Sequence, residues 1–159
     1  NNRIASGFYL EHNEYGDYGY GTPVKPVLEA LEHGNTVVLE IDYNGMVQVR
    51  DYFCDSDVSV TTVFICTEGT ELLERLHKRG DSPIEIKKRL SVACSEASHV
   101  DEFDCLIDNR VLEDAVNNLW LVATGKVDSQ RNTFDSLRFI DQVRSLLKMF
   151  DYLSSVEET

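Results

Sequence analysis

The sequence predicts an α/β fold, a parallel sheet flanked by helices, and three observations carry that prediction. Residues 36–42, 58–66 and 103–108 are apolar runs too short for helices, the first of them β-branched, and read as strands. Between and after them lie stretches with apolar residues at helical spacing. Proline stands just inside helix starts and glycine just past helix ends, the asymmetry expected of real helix boundaries. Strands alternating with helices imply parallel pairing through right-handed crossovers.

The elements follow in order. Residues 8–20 alternate loosely and hold four of the seven tyrosines, which predicts a short strand followed by an aromatic, glycine-rich loop. Thr22 as N-cap, Pro23 at the first helical position, the stripe Val24, Val27, Leu28 and Leu31, and Gly34 as stop predict a helix. The strand at 36–42 ends in Asp42. A helix over 44–53, a strand over 58–66 and a helix over 70–78 ending at Gly80 come next. Ser82-Pro83-Ile84-Glu85 reads as a capping box that opens a helix running to about residue 99. A third strand over 103–108, a helix over 111–124 and a long amphipathic helix over 134–155 complete the chain. Residues 125–132 form the one internal linker, and there is no repeat or low-complexity segment.

The chain has 159 residues, 42% of them hydrophobic, close to the roughly 45–50% of globular domains and far from the composition of disorder. Fifteen Lys and Arg against 28 Asp and Glu give −13, which argues against a nucleic-acid polymer as partner. No run approaches the roughly 20 apolar residues of a membrane span, so no membrane association is expected. The start, Asn-Asn-Arg-Ile-Ala-Ser-Gly, has neither an initiator Met nor a signal-peptide pattern, and the expectation is that the true N-terminus lies upstream. Cys54, Cys66, Cys94 and Cys105 stand 12, 28 and 11 apart, with no C-x-x-C pair and no zinc-like histidine offset. Cys66, Cys94 and Cys105 sit in apolar runs, where buried free thiols are the expectation; a reducing cytoplasm is expected, with no resident metal.

In open α/β sheets ligands sit beyond the carboxyl ends of the strands, which points to Asp42, to the residues after Cys66, and to Asp108 and Asn109. Three clusters carry chemistry. Glu11, Tyr18, Tyr20, Gly21 and Thr22 combine a carboxylate, exposed phenols and a helix N-terminus suited to a base amide and a phosphate; a packed tyrosine cluster at a strand edge fits the same pattern. Glu40 and Asp42 share a strand face, where Asp42 accepts from a ligand amine or caps the following helix. Residues 75–89 hold six basic against two acidic residues, a local +4, while the remaining nine basic against 26 acidic residues leave −17 elsewhere. Arg75 and Arg79, one turn apart, and Arg89, returning from the other side of Gly80, suit phosphoryl oxygens. A solvated basic face is the plainer alternative. The sequence contains no G-x-x-x-x-G-K-[ST], no G-x-G-x-x-G and no nucleophile–His–acid spacing.

Taken together, Glu11 with Tyr20-Gly21-Thr22, Val-Leu-Glu40-Ile-Asp42-Tyr-Asn-Gly45, Arg75-Leu-His-Lys-Arg79-Gly-Asp-Ser with Lys-Arg89-Leu, Glu96, and Phe-Asp104-Cys-Leu-Ile-Asp-Asn109 occur in the order and spacing of the guanylate kinases. The chain resembles that family from about Ile4 to Ala123. The resemblance implies the P-loop nucleoside monophosphate kinase fold, with residues 1–22 as the remainder of a GMP-binding subdomain, 23–66 and 92–124 as α/β core, 67–91 as a helical lid and 125–159 as a C-terminal helical extension. That extension is expected either to pack on the core or to make a homodimer.

The resemblance further implies transfer of a phosphoryl group from ATP, with Mg²⁺, to GMP. By family match, Glu11 and Asp42 read the guanine edge, and Tyr20 donates to the GMP phosphate with Gly21 and Thr22 in the same loop. Arg75, Arg79 and Arg89 neutralise the transferring group, and Asn109 lies near the ATP purine. The family's P-loop, its Thr-Arg-x-x-Arg segment and a further phosphate-gripping tyrosine match no part of these residues. The chain is therefore expected to be a portion of a longer enzyme, inactive alone, or, as the alternative, a noncatalytic guanylate-kinase-like protein-interaction module. It also reads Asp17-Tyr18-Gly19-Tyr20 where the family has Gly-Asn-Tyr-Tyr, and Arg110 where an acid is common.

Overall fold

The computed structural model describes residues 4, 6–15, 18–126 and 136–157. The chain divides into two compact units, Asn1–Thr62 and Val63–Thr159. Among the described residues there are six helices, a two-stranded antiparallel sheet in the first unit and a two-stranded parallel sheet in the second.

In the first unit, β1 (Tyr9–Tyr15) and β2 (Tyr18–Pro23) form a hairpin in which Glu11 faces Thr22 and Asn13 faces Tyr20. The expected loop after the first strand is therefore a second strand. Its two glycines and its proline offset the strand preference of its tyrosines, and the ladder to β1 sets its conformation. α1 (Val24–Glu32) begins one residue later than the sequence suggests: Pro23 is the N-cap, with extended backbone and no side-chain cap. Thr22 does not cap because it belongs to β2 and its hydroxyl is bonded across the hairpin to Glu11. Gly34, at φ 76°, then ends the helix as expected, with its own N–H on the Leu31 carbonyl and that of Asn35 on the Ala30 carbonyl.

Residues 36–42, expected as a buried parallel strand, enter no ladder among the described residues. Asp42, at their end, has extended backbone. Val37, Leu39 and Ile41 pack on the cluster of Leu10, Val27, Val49 and Phe53, while Val38 is 64% exposed. An apolar β-branched run specifies an extended chain; a strand also needs a hydrogen-bonding neighbour, which no local pattern encodes. α2 (Tyr43–Phe53) follows, capped by Asp42, and buries Met46, Val49 and Phe53.

In the second unit, β3 (Val63–Cys66) pairs in parallel with β4 (Cys105–Asp108), Val63 opposite Cys105 and Cys66 opposite Asp108. Both are shorter than the apolar runs that predicted them. Val58 and Val60, from the front half of the first run, pack in the first unit's core. α3 (Gly69–Arg79) ends at Gly80, whose φ of 87° lets the chain reverse within two residues into α4 (Pro83–Ala97). The predicted capping box is present in full: the Ser82 hydroxyl accepts from the Glu85 N–H, and the Glu85 carboxylate accepts from the Ser82 N–H. A 3₁₀ turn (Val100–Glu102) leads to β4, and α5 (Leu112–Ala123) follows.

α6 (Ser136–Glu157) matches the predicted C-terminal helix, except that residues 134 and 135, like linker residues 127–132, lie outside the described residues. Its apolar stripe, Phe139, Ile140 and Val143, closes a core with Leu76 of α3 and Ile86, Leu90 and Ala97 of α4. Leu90 and Val143 are fully buried at 0% exposure. The Gln142 side chain accepts from the Gly69 N–H at 3.0 Å, and Lys87 pairs with Asp151, so polar contacts fix the packed face at both ends. This helix packs within its own chain, against α3 and α4.

Candidate functional site

Alternation along the hairpin gathers one face of side chains. Glu11 and Asn13 on β1, and Tyr20 and Thr22 on β2, are cross-strand partners with the same orientation. The N-terminus of α2 lies against that face. Asp42 Oδ1 accepts from the Gly45 N–H at 2.8 Å, the ordinary N-cap bond, while Oδ2 accepts from the Tyr20 hydroxyl at 2.8 Å and from the Asn13 amide. Asp42 is thus both a helix cap and a member of the polar cluster, where the sequence left these readings as alternatives. Glu40, on the preceding extended segment, is exposed and not drawn into the cluster.

Glu11 is 2% exposed. Its Oε1 accepts from the Thr22 hydroxyl at 2.6 Å, and its Oε2 has no hydrogen-bond partner among the described residues. A buried carboxylate oxygen without a donor costs roughly 1–3 kcal/mol, and such orphans mark positions where a ligand completes the set. Gly45 makes the arrangement possible. A Cβ there would stand 3.1 Å from both Glu11 Oε2 and Ile41 Cβ and 3.5 Å from Asp42 Oδ1, so the two carboxylates flank one point and a larger residue would crowd it. No ion pair with a cation reaches either carboxylate among the described residues.

Burial pushes the Asp42 carboxyl up, but the Gly45 N–H, the Tyr20 hydroxyl, the Asn13 amide and the Asn44 N–H outweigh it and hold the group below the usual carboxylate range. The same bond drives the Tyr20 phenol up to about 12, since donating to Asp42 favours its protonated form; burial and the charges of Asp42 and Glu11 add to the effect. At neutral pH the cluster offers ionised acceptors from Asp42 and a hydroxyl donor from Tyr20. Gln48 of α2 clamps the strand beneath: its carbonyl accepts from the His12 N–H at 3.1 Å and its amide donates to the His12 carbonyl at 3.0 Å.

Gly21 serves the hairpin itself. A Cβ at this position would lie 2.5 Å from the Glu11 carbonyl oxygen and 3.0 Å from His12 Cβ, a clash with backbone that no rotamer relieves. Gly21→Ala is expected to destabilise the protein by about 1–3 kcal/mol, the usual cost of overpacking. Urea unfolding checks this: the midpoint should fall with an unchanged slope.

In the second unit the basic residues divide into two groups. Arg79 and Arg89 converge on Asp81, Arg79 through its Nε at 2.8 Å and a second bond from Nη2, Arg89 through Nε at 3.3 Å. The Arg79 hydrogen bond holds the Asp81 carboxyl below the usual range. Arg75 does not join them. It donates to Glu71, one turn back, and to the Asn109 main-chain carbonyl, both at 2.5 Å, which ties α3 to the carboxyl end of β4. Asn109 continues the ladder, its N–H donating to the Cys66 carbonyl at 2.7 Å. At the same strand end Arg110 pairs with Asp108 and, at 3.6 Å, with Glu68. The Cys66 thiol, buried beneath, is pushed up to about 11 by desolvation.

Asn13 and Gln48 did not stand out in the sequence, and Gly45 stood there only as the end of a motif, with no role of its own. Asn13 was within reach, since it lies two residues from Glu11 and alternation puts both on one face. Gln48 and Gly45 act as they do because of how α2 docks against β1, which no local pattern announces. Among the described residues no three His, Cys, Asp or Glu side chains are grouped to hold a metal ion, and no helix is long and apolar enough to cross a membrane.

The sequence profile of the guanylate kinase family matches residues 1–123. The chain belongs to the guanylate kinase family. It is 44% identical over 126 residues to the guanylate kinase of Carboxydothermus hydrogenoformans, covering 77% of this chain and 59% of that protein. It is 40% identical over 136 residues to the guanylate kinase of Gluconobacter oxydans, covering 82% and 64%, and 39% identical over 118 residues to that of Streptomyces kasugaensis, covering 73% and 56%. The chain thus spans about three fifths of the length of the curated guanylate kinases it matches. The resemblance carried by five segments of sequence is borne out, and with it the P-loop nucleoside monophosphate kinase fold class. The matched region takes in all the candidate residues from Glu11 to Asn109 and stops at the end of α5, short of α6.

Proposed function

We propose that this protein transfers a phosphoryl group from ATP to GMP, giving ADP and GDP. The observation that carries the reading is the open Oε2 of buried Glu11 beside the ionised, donor-held Asp42. Guanine presents N1–H and a 2-amino group, two adjacent donors, and adenine has no such pair, so fixed acceptors select guanine. Tyr20 donates to the GMP phosphate, with Gly21 and Thr22 shaping the strand that carries it. These residues belong to a GMP-binding part, residues 1–22, and to a core part, 23–66 and 92–124.

Arg75, Arg79 and Arg89 belong to a lid, residues 67–91, and neutralise charge on the transferring phosphoryl group, while Asn109 lies on the ATP purine side. No general base is needed, because phosphoryl transfer rests on positioning and charge neutralisation. Mg²⁺ enters as the ATP chelate, coordinated chiefly by phosphate oxygens. A place in cytoplasmic purine nucleotide metabolism follows from the substrates, and α6 belongs to a C-terminal extension, residues 125–159.

The full-length protein is the object to test. A coupled assay for ADP with GMP and AMP as alternative acceptors should give turnover with GMP and a preference of at least about 10⁴-fold over AMP, the range a donor-matched site attains. Equal rates with the two nucleotides, or none with GMP, would reject the reading.

A further inference from the structure

Two hairpin side chains converge on one carboxylate oxygen. Asn13 and Tyr20 are cross-strand partners, and both donate to Asp42 Oδ2, while Oδ1 is occupied by the N-terminus of α2. If GMP is the acceptor, as proposed above, the Tyr20 hydroxyl is required on the nucleotide phosphate. A phenol has a single proton and cannot donate to Asp42 and to a phosphate at once. Tyr20 therefore leaves Asp42 as it engages the ligand, and Asn13 is the hairpin donor that stays behind.

We propose that Asn13 is a positioning residue that holds Asp42 Oδ2 in place once Tyr20 has turned to the phosphate, so that the carboxylate meets the guanine edge without reorienting. Three features of the site support this. Among the described residues no cation partners Asp42, so its orientation depends on neutral donors. The titratable groups near it are Tyr20 and, across Gly45, Glu11, and neither replaces a lost N–H donor while Tyr20 is on the phosphate. Asn13 is also hydrogen-bonded to the phenol, in a contact that favours its ionised form and opposes the pull of Asp42. The amide is thus placed to ease the departure of Tyr20 as well as to replace it.

The test uses the full-length protein with GMP itself, by steady-state kinetics and calorimetric binding. Asn13→Ala is expected to raise KM and Kd for GMP roughly tenfold, the scale of one hydrogen bond to a charged group, with kcat within about twofold. In an Asp42→Asn background the same substitution should add nothing, because Asn13 acts through Asp42. Asn13→Asp keeps the side-chain size while removing the donor, and should raise KM at least as much, which covers the case of an unstable alanine variant. Unchanged KM in both variants, or equal increments with and without Asp42, would overturn the inference while leaving GMP kinase activity standing. An unmodified protein that neither binds nor phosphorylates GMP would overturn the functional reading and this inference together.

Discussion

Replacing Glu11 with glutamine should lower kcat/KM for GMP by roughly 100-fold and shrink the preference for GMP over AMP by a similar factor. The reasoning starts from the two oxygens. Glu11 Oε1 is engaged by the Thr22 hydroxyl and Oε2 is open. Glutamine keeps the shape and one acceptor, so the Thr22 bond survives, but the open acceptor becomes an NH₂ donor facing the donors of guanine. A hydrogen bond to a charged group contributes about 1.5–3 kcal/mol, and a donor set against a donor adds a further penalty, which together give about two orders of magnitude. AMP gains nothing from Glu11 and should lose little. Stability should not fall, because the substitution removes a buried charge that no cation compensates. Steady-state kinetics with both nucleotides and a thermal melt decide it; an unchanged GMP to AMP ratio in a folded variant would count against guanine reading by Glu11.

Arg79→Ala should reduce kcat by about 10³-fold, the scale on which an arginine stabilises a transferring phosphoryl group, with KM for GMP nearly unchanged. Arg79 is half exposed, and its partner Asp81 keeps Arg89. The fold therefore loses little. Arg79→Lys should recover only a small part of the rate, since a point ammonium cannot reproduce a planar fork on two oxygens. A kcat within threefold of the unmodified enzyme would show that Arg79 is a surface ion pair and nothing more. The convergence on Asp81 also separates Arg79 and Arg89 from Arg75, whose bonds to Glu71 and Asn109 give it a share in holding α3 to the sheet end. An Arg75→Ala variant is for that reason a less clean probe of phosphate contact.

How much of the fold is legible in the amino-acid sequence depends on how locally each part is encoded. The Ser82–Glu85 capping box, the Gly80 reversal and the amphipathic stripe of α6 are short-range patterns, and each is found at its expected place. The hairpin is only half legible. β2 has no apolar alternation of its own and becomes a strand through its partner. The strand expected at 36–42 errs in the opposite sense, because its apolar run encodes burial but no hydrogen-bonding neighbour. Thr22 resembles a helix cap because Pro23 follows it; the competing acceptor, Glu11, stands eleven residues away in sequence and opposite in space. The candidate residues are legible as a set because five spaced segments agree. What they do to one another is not: the sharing of Asp42 Oδ2, the open oxygen of Glu11 and the Asp81 junction all arise from pairings across elements.

The family match stops at residue 123, yet the helix beyond it supplies Phe139, Ile140 and Val143 to the core it shares with Leu76 of α3 and Ile86, Leu90 and Ala97 of α4. A survey of family residues would score a change at Val143 as neutral. Packing says otherwise, because that side chain is fully enclosed in the core it shares with α3 and α4, the helices that carry Arg79 and Arg89. Variation beyond the matched region can thus disturb the packing of α3 and α4 while every signature residue stays intact, and a boundary drawn from similarity alone would cut the protein through its own interior.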